Sequence, residues 1–84
     1  MKAKIFDQIK TTVQLYADFS DMLIPPSTYG TIVECYSEPE GYAVDLSIPD
    51  ETLVGGRRFE NVILSPDQFV VVRSATSTSP EESL

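Results

Sequence analysis

The sequence predicts an all-β domain: a small barrel of about five antiparallel strands with one short helical turn before the last. Two observations carry this. The apolar residues repeat mostly every second position rather than every 3.6, as in Tyr42 to Ile48, where Tyr42, Val44, Leu46 and Ile48 face one way and Ala43, Asp45 and Ser47 the other. Turn-forming clusters then divide about 70 residues into five such runs, the spacing of a closed or tightly rolled sheet.

The first predicted strand is Lys10 to Ala17, with Val13, Leu15 and Ala17 on its inner face. An eleven-residue loop, Asp18 to Thr28, follows; it holds Pro25 and Pro26 and four apolar residues, Phe19, Met22, Leu23 and Ile24. These either fold over one end of the barrel or remain exposed as a contact patch. Tyr29 to Ser37 is rich in β-formers. Glu38-Pro39-Glu40-Gly41 reads as a four-residue hairpin loop leading into Tyr42 to Ile48. That loop length pairs Ser37 with Tyr42, which sets Cys35 opposite Val44, Val33 opposite Leu46 and Glu34 opposite Asp45. A polar loop from Pro49 to Arg58, containing Gly55 and Gly56, precedes Phe59 to Leu64. Ser65-Pro66-Asp67-Gln68 has the pattern of a helical turn, with Ser65 as cap, Pro66 in the first position and Gln68 in the third. Gln68 to Arg73 is the last strand. Residues 1–73 form the predicted domain, and Ser74 to Leu84, too polar to offset its ordering entropy, is a predicted flexible tail.

Composition narrows the function. The 84 residues contain no histidine, which removes imidazole catalysis and histidine metal ligation. One cysteine, Cys35, forms neither an internal disulfide nor a thiolate cluster; Glu34 and Glu38 beside it raise rather than lower a thiol pKa. No cofactor motif and no nucleophile–base pair is present, so the expectation is a non-enzyme without cofactors. No apolar run approaches membrane-spanning length and the first ten residues lack a signal-peptide core, so a cytoplasmic protein is expected.

Charge is placed unevenly. The net charge is -7, yet Met1 to Lys10 carries three lysines, whereas Thr11 to Gly56 holds eight acids and no Lys or Arg. Such a field repels phosphate, against nucleic-acid binding, and attracts a basic protein surface. Glu34, Asp45, Asp50 and Glu51 are the acidic candidates for that contact, and Phe19, Met22 and Leu23 the apolar ones. Tyr16, Tyr29, Tyr36 and Tyr42 are either an aromatic binding surface or packing at the barrel ends. Arg57 and Arg58 read as an exposed loop balancing the acidic middle.

The segments FDQIKTTV, YGTIVE, GYAVDL, NVILSPDQF and VVV, in this order over Phe6 to Val72, resemble domain-of-unknown-function family 4926. Its pattern is a Gly-Thr-Val/Ile-Val-Glu strand followed by a Tyr-x-Val-Glu/Asp strand, carried here by Gly30, Thr31, Ile32, Val33 and Glu34, then Tyr42, Val44 and Asp45. The resemblance implies an SH3-like barrel and a bacterial protein of antitoxin or immunity type. The Pro-Pro loop and the Gly55-Gly56-Arg57-Arg58 insertion depart from that pattern. The alternative expectation is a structural or assembly subunit, such as a homodimer built on a sheet edge or on the Phe19 to Pro26 loop.

Overall fold

The computed structural model describes residues 1–17 and 22–75. Among these residues seven strands form in the order β1 (Gln8–Thr11), β2 (Leu15–Tyr16), β3 (Leu23–Ile24), β4 (Tyr29–Ser37), β5 (Glu40–Pro49), β6 (Arg57–Leu64) and β7 (Phe69–Arg73), with a 3-10 turn at Pro66–Gln68. Five of them make one antiparallel sheet, ordered β6-β5-β4-β1-β7; β2 and β3 make a separate two-stranded ribbon.

The sheet is not closed into a barrel, which corrects the SH3-like expectation. β6 and β7 are its two edges, and no ladder joins them among the described residues. The sheet does coil: Tyr42 on β5 and Phe69 on β7, with two strands between them, meet edge to face at 5.3 Å between ring centres. The predicted strand Lys10 to Ala17 breaks after Thr11, where the Thr12 amide donates to the Gln68 carbonyl at 2.9 Å. Leu15 and Tyr16 then leave the main sheet to pair with Ile24 and Leu23. The core is completed by this ribbon, through buried Ala17 and Ile24 with Leu15 and Met22 against them, instead of by a second wall of the same sheet.

The inner face of the sheet supplies the rest of the core. Ile9, Ile32, Tyr42, Val44 and Leu46 have no exposed surface, and Leu64 and Phe69 have about 1%. Burying such side chains contributes roughly 1.5–3 kcal/mol each. Gly30 makes the close packing possible: a Cβ there would lie 2.8 Å from the Asp45 carbonyl, Leu46 Cδ2 and Val44 Cγ1. The turn before β7 matches its sequence pattern, with Gln68 Oε1 accepting the Ser65 amide at 2.9 Å.

The central hairpin register differs from the one expected. The connection is two residues, Glu38 and Pro39, because Ser37 pairs with Glu40. Cys35 therefore faces Tyr42, and Glu34 faces Ala43. A bulge between Ile32 and Glu34 shifts the ladder again, so Val33 drops out of it, Ile32 meets Val44, Thr31 meets Asp45 and Gly30 meets Leu46. A loop two residues shorter preserves the faces, while the single-residue bulge exchanges them. That exchange turns Ile32 into the core in place of Val33.

Candidate protein-contact face

The same alternation that buries one side of the sheet sets out the other. Its rows follow from the ladders. Lys10, Tyr29, Ser47 and Phe59 lie side by side; Gln8, Thr31, Asp45 and Asn61 form the next row; Glu34, Ala43 and Ile63 the third. No described element packs over the first two rows. Phe59 is 68% exposed, Phe6 67% and Tyr29 58%. With Gln8, Thr31 and Asp45 they line a shallow depression of about 450 Å³. Phe6 is held there by an unusual backbone: its φ is 73°, and its amide donates to the Ile32 carbonyl at 2.7 Å. A bulky residue in the left-handed region costs about 1 kcal/mol or more, and such strain concentrates at functional surfaces.

Two of the four acidic candidates belong to this face. Asp45 accepts a hydrogen bond from Asn61 Nδ2 at 2.7 Å and meets no cation among the described residues. Glu34 is exposed on the same side, opposite Ala43 and so offset from Asp45 by two residues along β5. The expected direct Glu34–Asp45 pair does not form. Asp50 and Glu51 lie beyond the far end of β5, roughly 23 Å from Ala43 at about 3.3 Å per residue. Asp50 is engaged internally: it accepts the Thr52 amide at 3.0 Å and hydroxyl at 2.6 Å, and lies 4.0 Å from Arg58. The Thr52 bonds, then Arg58, hold its carboxyl below the ordinary value. Glu51 is exposed in the loop. Arg57 and Arg58, expected in that loop, open β6 instead, and Arg58 also pairs with Glu60.

The apolar candidates separate as well. Met22 is half-buried against the core, Leu23 is 47% exposed on β3, and Phe19 lies outside the described residues. Of the tyrosines, Tyr42 is core, while Tyr29 and Tyr36 lie at opposite ends of β4 and Tyr16 on the ribbon. A second depression, of about 560 Å³, lies at the hairpin end between Tyr36, Glu38, Pro39, Gly41 and Ile63.

Three polar groups were not legible as a cluster. The Tyr42 hydroxyl accepts the Lys2 amide at 2.9 Å and the Ala3 amide at 3.3 Å and donates to Glu40. Burial and the Glu40 acceptor push the phenol up, while the Tyr42 hydroxyl and Lys2 amide draw the Glu40 carboxyl down. Lys2 Nζ sits 4.6 Å from the centre of the Phe69 ring. Asp7 is 2% exposed, and its carboxylate accepts the amides of Lys4 at 3.0 Å and Ala75 at 2.8 Å. Burial pushes this carboxyl up, but those two amides and the Lys4 ammonium outweigh it and leave it below the ordinary value. These bonds tie the N-terminal segment to the sheet and to residue 75.

Cys35 is half-buried, and burial, then Glu34 and Asp7, push its thiol up, away from nucleophilic use. Among the described residues no group of three or more Cys, Asp or Glu is placed to hold a metal ion, and no helix is long and apolar enough to cross a membrane. Comparison of the chain with protein-family models, curated proteins and solved structures finds no match in any of the three.

Proposed function

We propose that the protein is a non-catalytic binding module whose outer sheet face covers a basic surface on another protein, in the manner of an antitoxin or immunity protein. One observation carries the reading: three aromatic rings, each more than half exposed, share a depression with an acid that makes no ion pair among the described residues, on a face to which β4 and β5 contribute no Lys or Arg and β1 contributes Lys10. Flat apolar area supplies contact, and Tyr and Phe faces accept Arg or Lys by cation–π attraction. Asp45 and Glu34 add charge that steers a basic partner and raises its association rate. The reading assigns the chain no chemistry and takes it as cytoplasmic, where a free thiol such as Cys35 stays reduced. Self-assembly, the alternative, is favoured by one feature, the unpaired edge of β6.

The test is capture from native host lysate with the tagged chain at low and high salt. A stoichiometric basic protein is expected, released by salt and not retained by a Glu34→Lys/Asp45→Lys variant. Equal retention by wild type and variant overturns the assignment of this face.

A further inference from the structure

An edge strand exposes a row of unpaired N–H and C=O groups, and natural sheets shield such edges with lysines, prolines, bulges or covering segments. The two edges here are treated differently. β7 is five residues long, and Lys2 Nζ donates to the carbonyls of Pro66 and Phe69 at its start. β6 is eight residues long, contains no Lys or Pro and carries its charges at Arg57, Arg58 and Glu60; it pairs with β5 without a register shift and has no strand on its other side among the described residues. Its outward-facing Phe59 and Ile63 are apolar and 68% and 55% exposed.

We propose that β6 is a self-association edge: two copies of the chain join their β6 strands antiparallel about a two-fold axis at Asn61, making one ten-stranded sheet. The register follows from complementarity. Directly opposite residues point to the same face, so each outward residue must meet an outward one. With Asn61 on the axis, Phe59 of each copy faces Ile63 of the other, an aromatic–β-branched pair of the kind that stabilises antiparallel ladders. An axis at Glu60 would set two carboxylates opposite each other. An axis at Val62 would leave Phe59 facing Ser65. An axis at Phe59 would shorten the overlap to Arg57–Asn61 and leave Ile63 uncovered.

The Asn61 register has a second consequence. It sets Arg57 opposite Ser65 of the second copy, beside that copy's Asp67. Arg57 makes no ion pair among the described residues, and Asp67, which accepts the Ser65 hydroxyl at 2.5 Å, makes none there either. Each unused charge thus finds its complement twice, by symmetry. The pairing is isologous and closes as a dimer. This inference rests on the sheet edge and not on the proposed function; Phe59 is common to both, whereas Tyr29, Asp45 and Glu34 stay free.

Salt separates the two. Chains of net charge -7 repel, so screening strengthens self-association while it weakens capture of a basic partner. The experiment has two readouts on the full chain. In sedimentation equilibrium the mass is expected to move from 9.3 kDa towards twice that value with concentration, more so at about 0.5 M salt than at about 0.05 M, and Ile63→Lys is expected to remain at 9.3 kDa. In a Cys35→Ser background, oxidation is expected to cross-link Asn61→Cys with itself, because directly opposite Cα atoms lie about 4.5–5.5 Å apart, within disulfide reach. Phe59→Cys alone and Ile63→Cys alone are expected to give no dimer band, and their mixture to give one. A wild type that stays at one chain mass at every concentration and salt, or cross-linking indifferent to position, overturns the proposal.

Discussion

The two faces of the main sheet are built from the same strands and are treated oppositely. On β6, Val62 and Leu64 are 3% and 1% exposed, while Ile63 between them is 55% exposed and Phe59 68%. Hydrophobicity does not separate these residues; what lies above them does. Ile24 and Ala17 of the ribbon help complete the core, whereas Phe59 and Tyr29 on the outer side line an open depression. An unclosed sheet keeps a large apolar face only at a cost in solubility, so the outer face is where a binding role is to be sought. The inner face explains stability, and substitutions should divide along the same line.

The largest expected effect is on the inner face. Leu46→Ala should lose about 2–5 kcal/mol in denaturant unfolding, by transfer plus the cavity left behind. A smaller loss with an unchanged m-value would mean that the ribbon collapses onto the gap. Gly30→Ala should cost about 1–3 kcal/mol by overpacking, since the added methyl meets backbone as well as two side chains at 2.8 Å. Wild-type stability there would require β5 to move.

Next comes Asp7, which belongs to neither face. Its folded pKa is depressed, so its contribution is present above the unfolded value of about 3.9 and is lost as pH falls through the lower folded value. Asp7→Asn should flatten the acid limb of the stability curve in a urea titration across pH, and Asp7→Ala should cost about 1–3 kcal/mol at neutral pH by removing the carboxylate that accepts the Lys4 and Ala75 amides. An acid limb unchanged in Asp7→Asn would place that pH dependence on other carboxylates.

The smallest effect is expected on the outer face. Tyr29→Ala and Phe59→Ala should stay within about 0.5 kcal/mol of wild type in thermal or chemical unfolding. A loss as large as that of Leu46→Ala would mean that the outer face is covered within the chain, and the contrast between the faces would vanish.

Local structure was largely legible. β4 has the bounds that its β-formers predicted, Tyr29–Ser37, and Tyr42, Val44, Leu46 and Ile48 share the core face that their alternation required. The turn at Ser65 to Gln68 follows from its capping chemistry. What depended on more than alternation was not legible. Val33 and Ile32 are equally apolar, so nothing in their side chains announced the bulge that buries Ile32. The run from Lys10 to Ala17 alternates without a break, yet it divides between two sheets: Lys10 and Thr11 pair with β7, and Leu15 and Tyr16 pair with Ile24 and Leu23. For the candidate site, counting acids pointed to Glu34 and Asp45, but the same count placed Asp50 beside them, where the fold pairs it with Arg58. Phe6 escaped notice because its exposure comes from a left-handed backbone that no neighbouring glycine signals.

In the proposed function the outer face binds a basic partner through Asp45 and Glu34, while the inner face holds the fold. The most direct measurement is a calorimetric titration of the captured partner into wild type and into Glu34→Lys/Asp45→Lys, at two salt concentrations, with unfolding curves for both proteins. The account predicts equal stability, a loss of affinity of at least about tenfold in the variant, some 1.4 kcal/mol, and a steeper salt dependence for the wild type. Unchanged affinity in a folded variant would contradict it.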